Sequence, residues 1–238
     1  MLKETNLDSV KEISMVIFDA VKIENPICGF IQHPYLDSIF STIRDVSGEL
    51  MFVDITKDDG LRLVREEYKN KIDSAKDVLD ILMIVRAPWR LTWLKYAKEE
   101  MSIEDFSVCL SEAWVTEECP NGDANVSVRT SISWFKKANK RCLMNEDEYE
   151  MWENLPEEVL IYRGVSNGGT PLGLSWTTNK EKAKWFQHRF DKSNSCGILQ
   201  KARVNKKFIL AYFDSRGEEE LIVDALSIKN SIEIVENH

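Results

Sequence analysis

The chain has 238 residues, of which 43% are hydrophobic and 10% aromatic, and its formal net charge is −9. A chain of this length and composition can bury a substantial core, which excludes an intrinsically disordered protein. The acidic balance argues against a broad surface for binding polyanions, although a local basic cleft is compatible with it.

The sequence contains no clear targeting, disulfide or metal signal. Its first residues form no apolar segment of the signal-peptide type, and no stretch approaches the ~18 consecutive apolar residues of a membrane span. The five cysteines are odd in number and form no Cys-x-x-Cys pair, and only three histidines are present. We therefore expect a soluble protein of the cytoplasmic type, with no membrane association, no disulfide framework and no metal site.

The first half of the chain has apolar residues at helical spacing. Helices are predicted over residues 7–21, 35–46, 58–67, 73–85 and 89–98, and a further helix begins at Ser102. Ser102 and Asp105 form the Ser-x-x-Asp pattern of a helix N-cap. Residues 1–120 are thus predicted to be a helical N-terminal region, and no motif within it indicates a role.

The pattern changes after residues 118–125, where Pro120, Asn121 and Gly122 favour a linker and a domain boundary after residue 120. Beyond this point, helices are predicted over residues 126–140, 145–154 and 179–189, the last capped by Thr178 or Asn179. Short strands are predicted over residues 159–162, 174–178, 197–204, 208–213, 221–223 and 231–235. Residues 121–238 are therefore predicted to be an α+β domain of two small packed β-sheets with flanking helices.

Two segments, residues 88–98 and 134–141, mix aromatic residues with arginine and lysine. This composition is typical of a nucleic-acid surface, and equally of an amphipathic core helix with solvated basic residues. The charge pattern favours the second interpretation.

Three short segments of the last third place polar residues at the ends of predicted strands. Arg163 and Gly164 follow the strand 159–162, and a guanidinium suits a phosphate because it can bind two oxygens at once. Ser175 and Thr177 are two positions apart, so their hydroxyls share one strand face.

The third segment is the run Glu218-Glu219-Glu220 before the strand 221–223. Glu218 and Glu220 share one face if the run is extended, and Glu219 then points to the other. Gly217 permits a tight turn before the run. Of the three carboxylates, that of Glu220 is held most rigidly, because Glu220 lies at the start of the strand.

The order of these segments resembles the Arg, Ser-x-Thr, Glu-x-Glu signature of the arginine-serine-glutamate branch of the ADP-ribosyltransferase family. This branch includes bacterial mono-ADP-ribosylating toxins and phage-encoded relatives. The resemblance covers residues 126–235 and is most specific at residues 160–164, 173–178 and 216–223. It implies an enzyme that cleaves NAD, its co-substrate, to nicotinamide and transfers ADP-ribose, with an ADP-ribosyltransferase-type core.

The resemblance also implies a role for each matching residue. Arg163 would contact the NAD phosphates, and the backbone of Gly164 would bind the nicotinamide amide. Ser175 would position Glu220, which would bind the nicotinamide ribose and stabilise the oxocarbenium ion, and Glu218 would activate the acceptor. The supporting cofactor-binding positions implied by the resemblance are those of Thr177, Phe186 and Arg189.

The acceptor remains open at the level of the sequence. The Glu-x-Glu pair favours a protein arginine, and RNA or DNA is the main alternative macromolecule. Hydrolysis of NAD with water as the acceptor is a second hypothesis, and an inactive NAD-, ADP-ribose- or partner-binding module is a third. The resemblance to toxins and phage enzymes implies action in the producing or the target cell, and an antitoxin or inhibitor as a further partner.

Overall fold

The computed structural model describes residues 3–23, 30–44, 47–189 and 197–235. Within these residues the chain is an α+β protein with nine α-helices and small antiparallel sheets. The backbone divides into two compact units, Met1–Cys109 and Leu110–His238. Asn121, in the predicted linker, forms hydrogen bonds to Leu174 and Ser175 within the second unit.

The first unit is mainly helical, as predicted, but it also contains a hairpin. Its elements are α1 (Leu7–Ala20), β1 (Phe40–Arg44), β2 (Leu50–Asp54), α2 (Asp58–Ser74), α3 (Val78–Ile84), α4 (Arg90–Ala97) and the first half of α5 (Ile103–Thr116). The predicted cap is confirmed, since Ser102 Oγ accepts a hydrogen bond from the Asp105 N–H at 3.0 Å. Across the described residues, no helix combines the length and the apolar character needed to cross a membrane.

The predicted helix over residues 35–46 is wrong for the part that the structure describes, which excludes residues 45 and 46. Residues Phe40–Arg44 form β1 and pair antiparallel with β2, with Ile43 opposite Met51 and Ser41 opposite Val53. Ile43 and Val53 are buried while their neighbours on each strand are largely exposed. The β-branched residues Thr42 and Ile43 favour a strand once a partner strand is available.

The basic aromatic segment 88–98 belongs mainly to the core of the first unit. Trp93 and Leu94 are fully buried in α4, and even Arg90 is only 8% exposed. The segment 134–141 in the second unit likewise buries Trp134 and Phe135. Both segments therefore fit the interpretation of core helices better than that of a nucleic-acid surface.

The second unit consists of small helices around two three-stranded antiparallel sheets. Its elements after α5 are α6 (Val128–Lys137), α7 (Lys140–Leu143), α8 (Glu146–Glu153), β3 (Glu158–Val165), β4 (Ser175–Trp176), α9 (Lys180–His188), β5 (Ile198–Asn205), β6 (Ile209–Phe213), β7 (Glu220–Val223) and β8 (Glu233–Val235). The strand orders are β3-β5-β8 and β4-β7-β6. Each predicted strand of this unit is present, with shifted ends, and Asn179 caps α9.

The two sheets meet at a backbone bridge between Tyr162 and Thr177. The Tyr162 N–H donates to the Thr177 carbonyl at 2.7 Å, and the Thr177 N–H donates to the Tyr162 carbonyl at 2.9 Å. Tyr162 precedes Arg163 on β3, and Thr177 follows β4, which begins at Ser175. This bridge therefore brings the first two polar segments of the sequence side by side.

Helix α9 packs directly on β3, and Gly164 makes this close packing possible. A Cβ atom at this position would lie 1.9 Å from the Ala183 carbonyl oxygen and 2.4 Å from the Gln187 nitrogen, both backbone atoms of α9. The close contact between strand and helix therefore requires a residue without a side chain at position 164.

Candidate active site

A cleft of about 290 Å³ lies in the second unit, at the bridge between the two sheets. Its walls come from the end of α5, the turn Pro120–Gly122, β3 and the loop after it, β4, α9, and the segment leading into β7. All eight residues that the sequence singled out line it: Arg163, Gly164, Ser175, Thr177, Phe186, Arg189, Glu218 and Glu220. Residues spread over nearly sixty positions thus share one concave surface.

The strand register explains why Ser175, Thr177 and Glu220 face the cleft together. β4 pairs with β7 so that Ser175 is opposite Ile222 and Trp176 is opposite Leu221. Continuing this register places Thr177 opposite Glu220. Since side chains two positions apart share a face and opposite residues share a face, these three side chains lie on the same side of the sheet.

The carboxylate of Glu220 is held by two neutral donors. Trp114 Nε1 donates to Glu220 Oε1 at 3.1 Å, and Ser175 forms a second side-chain hydrogen bond with the carboxylate. Burial raises the pKa of Glu220, while these two hydrogen bonds oppose the rise. The site therefore presents a carboxylate that is desolvated, oriented and more basic than usual.

Trp114 is a rigid donor because its indole is packed on all sides. It is 1% exposed, and its ring meets that of Phe135 edge to face with centroids 5.0 Å apart. The indole N–H can only donate, so its contact with Glu220 suits the ionised form of the carboxyl group.

Asn121 fixes the direction of the Ser175 hydroxyl. Asn121 Oδ1 accepts from the Leu174 N–H at 2.6 Å, which leaves Nδ2 to donate to Ser175 Oγ at 2.8 Å. A hydroxyl that accepts from an amide keeps its own proton for another acceptor. The amide of Asn121 thereby commits Ser175 to donate to Glu220.

Arg163 is 9% exposed, and it donates to uncharged groups. Nη1 donates to the Ser175 carbonyl at 2.6 Å and Nη2 to the Thr170 carbonyl at 3.1 Å, while Nε is buried without a partner among the described residues. Burial lowers the pKa of Arg163 to about 10, although the negative charge of Glu220 opposes this. The guanidinium therefore remains charged at neutral pH and has no carboxylate in direct contact within the described part of the chain.

The absence of a side chain at Gly173 leaves the space that the Arg163 guanidinium occupies. A Cβ atom on Gly173 would lie 2.1 Å from Arg163 Nη2 and 3.0 Å from the side chain of Asn121. Trp176, which the sequence places between the two motif hydroxyls, is 2% exposed and donates from Nε1 to the Gly173 carbonyl at 3.0 Å. The loop before β4 is therefore shaped around Arg163 by both of these residues.

The backbone of Gly164 offers polar groups to the cleft. Tyr162, two positions earlier on β3, directs its N–H and C=O away from β5 and toward Thr177. Because the hydrogen-bonding direction alternates along a strand, Gly164 directs its N–H and C=O to the same side as Tyr162. Gly164 lines the cleft on this side. Its N–H donor and C=O acceptor together match the hydrogen-bonding groups of a primary amide.

Glu218 and Glu219 are oriented by a turn rather than by strand alternation. Glu219 has φ +50°, and among the described residues it is the only non-glycine with positive φ; Gly217 has φ +67°. Glu219 pairs with Lys182 Nζ at 2.7 Å, outside the cleft lining, whereas Glu218 lines the cleft. Glu218 and Glu220 therefore both line the cleft although the run is not extended. The left-handed conformation of Glu219 between them is a strained backbone of the kind that clusters at functional sites.

The remaining predicted residues occupy the α9 wall of the cleft. The Thr177 hydroxyl accepts from the Asn179 N–H at 3.1 Å, so it braces the turn into α9. Phe186 is half-buried and meets Trp185 edge to face at 4.9 Å, and the Arg189 guanidinium lies 5.1 Å from the Trp185 ring centre. Arg189 also forms an ion pair with Glu118, which lines the cleft as well.

Sequence reasoning missed two residues of this site, Asn121 and Trp114. Asn121 lies in a Pro-Asn-Gly turn, whose composition is typical of a linker, and Trp114 lies on a helix whose apolar pattern explains it as a core residue. The contacts of these residues span 54 and 106 positions of the sequence. The local sequence pattern around each residue cannot indicate contacts between positions so far apart in the chain.

Neither protein-family models nor curated proteins nor solved structures gave a match to this chain.

Proposed function

We propose that the second unit has an ADP-ribosyltransferase-type core and that the chain is an NAD-dependent mono-ADP-ribosyltransferase. The observation that supports this most directly is the convergence of a buried arginine, a positioned serine and two glutamates in one cleft: Arg163, Ser175, Glu218 and Glu220. The acceptor that we favour is an arginine side chain of a protein.

The positive end of the cleft fits a diphosphate. Arg163 holds a buried charge with no carboxylate in direct contact among the described residues, and Arg189, which pairs with Glu118, lies on the same lining. A phosphate group would supply the missing negative charge, and such charge-assisted hydrogen bonds are among the strongest in proteins. The nicotinamide amide would bind the N–H and C=O of Gly164, with Phe186 against the ring.

Glu220 would stabilise the charge that develops on the ribose when the bond to nicotinamide breaks. Its carboxylate is fixed in place before the reaction by Trp114 and Ser175, so little reorganisation is needed as the positive charge forms. Glu218 lies on the same lining and would accept a proton from the attacking nitrogen. The two glutamates thus divide electrostatic stabilisation and base catalysis between them.

The test is to incubate the purified chain with NAD labelled in its adenylate half, together with a cell lysate, and to measure free nicotinamide and macromolecular label. We expect nicotinamide release and label that protease treatment, but not nuclease treatment, removes. Label removed by nuclease instead would identify RNA or DNA as the acceptor. Nicotinamide release without any macromolecular label would identify NAD hydrolysis, and no release under any condition would refute the enzymatic proposal.

Asn121→Ala tests the positioning of Ser175. Without the Asn121 amide the Ser175 hydroxyl is free to turn away from Glu220; losing its hydrogen bond to this carboxylate costs about 1.5–3 kcal/mol, so we expect nicotinamide release to fall roughly 10- to 100-fold. Because the Ser175 hydrogen bond lowers the pKa of Glu220, its loss should raise that pKa further and move the acid limb of the pH–rate profile to higher pH.

The matched control is Asn125→Ala, which removes an exposed asparagine side chain from the same segment. It should leave both the rate and the pH profile unchanged. A loss of rate in Asn121→Ala with an unmoved acid limb would show that Asn121 only supports the fold.

A further inference from the structure

The side chain of Arg216 contacts Glu218, the residue to which the proposed function assigns base catalysis. Arg216 Nη2 is 2.6 Å from Glu218 Oε2, and both residues line the cleft with Glu220. A distance of this size is within the range in which a general base takes a proton. The Arg216 side chain is 39% exposed, so it is accessible from the cleft.

The turn that carries Arg216 is anchored to the helices on both of its sides. The Gly217 N–H donates to the Asp214 carbonyl at 2.8 Å, closing a tight turn that has Arg216 at its third position. The Asp214 N–H donates to Glu148 Oε1 at 2.8 Å, and Lys182 Nζ donates to the Gly217 carbonyl at 2.7 Å. The turn is thus tied to α8 at one end and to α9 at the other.

The charges of the turn also act on Glu220. The positive charge of Arg216 lowers the pKa of Glu220, whereas the negative charge of Glu218 raises it. Both effects are smaller than that of burial, but they place Arg216 within electrostatic reach of both glutamates.

We propose that Arg216 is an internal acceptor, so that the chain transfers ADP-ribose to its own Arg216 when no other acceptor displaces this side chain from Glu218. The inference rests on the proposed transferase function of the same cleft. In the transfer, the bond between the ribose C1 and the nicotinamide nitrogen breaks, and its electron pair leaves with nicotinamide. Arg216 Nη2 forms the new bond to C1, and the proton that it loses passes to Glu218.

Self-modification would change the site that produced it. A modified Arg216 could no longer pair with Glu218 in the present geometry, and the attached ADP-ribose would fill the cleft. An external acceptor would have to displace Arg216 from Glu218 before it could react. ADP-ribosylation of Arg216 would limit further turnover, because the attached group would occupy the cleft.

The test uses the full chain with NAD labelled in its adenylate half and no other protein. Nicotinamide release, intact mass and the labelled peptide are measured in the same samples. We expect one ADP-ribose per chain, located on the peptide that contains Arg216, and a labelling rate per chain that stays constant over a tenfold dilution of the protein. Arg216→Lys should lose this label, whereas Arg203→Lys, which changes an exposed arginine of β5 outside the cleft lining, should keep it.

The outcomes separate this inference from the proposed function. Nicotinamide release with no label on the chain, or with label on other residues, would overturn the role of Arg216 and leave the proposed enzymatic function in place. A labelling rate per chain that falls tenfold on tenfold dilution would show transfer between chains and overturn an internal acceptor. If no nicotinamide is released, both proposals are refuted.

Discussion

Glu220→Gln is expected to reduce nicotinamide release by at least roughly 10²–10³-fold, the size of effect seen when one preorganised electrostatic contact to a transition state is removed. Glutamine keeps the shape of the side chain and can still accept from Trp114 Nε1, but it has no negative charge to stabilise the developing cation. The measurement is single-turnover release of nicotinamide from NAD at saturating NAD concentration.

Glu219→Gln is the matched control, because it changes the adjacent carboxylate, which pairs with Lys182 and lies outside the cleft lining. It should retain most of the wild-type rate. If Glu220→Gln were as active as wild type while Glu219→Gln lost activity, the assignment of the three glutamates would be wrong.

The stability of Glu220→Gln should show that its inactivity is not caused by unfolding. Burial raises the pKa of Glu220 in the fold, so the folded state binds a proton more tightly than the unfolded state. Wild type therefore loses stability as the pH rises through the window from the ordinary carboxyl pKa, about 4.3, to the raised value, whereas the variant does not. Thermal unfolding should give a higher Tm for the variant than for wild type at pH 7, and this difference should shrink at pH 4.

Gly164→Ala is expected to lower the free energy of unfolding by about 3 kcal/mol or more, which is at the upper end of the effects of overpacking. The added Cβ would lie 1.9 Å from a backbone oxygen of α9, and backbone atoms cannot move away without displacing the helix. Urea denaturation measures the change, and binding of NAD should weaken in parallel because β3 and α9 form two walls of the cleft.

Gly122→Ala is the matched control for this substitution. A Cβ atom at Gly122 would meet no atom within 4 Å, and Gly122 also lines the cleft. We expect its free energy of unfolding to stay within about 0.5 kcal/mol of wild type. Equal stability of Gly164→Ala and Gly122→Ala would contradict the close packing of β3 against α9.

Most elements of the second unit could be predicted from sequence because their signals are local. Asn179 caps helix α9, since its Oδ1 accepts from the Glu181 and Lys182 N–H groups, and the short apolar runs of β3, β6 and β7 are strands. The helix predicted over residues 35–46 failed because Phe40–Arg44 is a strand only through its pairing with Leu50–Asp54. The free energy of strand pairing depends on both segments, so the residues of one segment alone cannot predict it.

The sequence by itself determined which polar residues lie in or beside the strands, namely Arg163 in β3, Ser175 in β4 and the glutamate run that leads into β7, and their order suffices for a hypothesis about NAD. Tertiary structure alone decided how these residues are held. It brought Asn121 and Trp114 to Ser175 and Glu220, turned Glu219 toward Lys182, and set Arg216 against Glu218. The physical reason is that orientation and pKa depend on contacts between distant segments and on burial, and both come into being only when the chain folds.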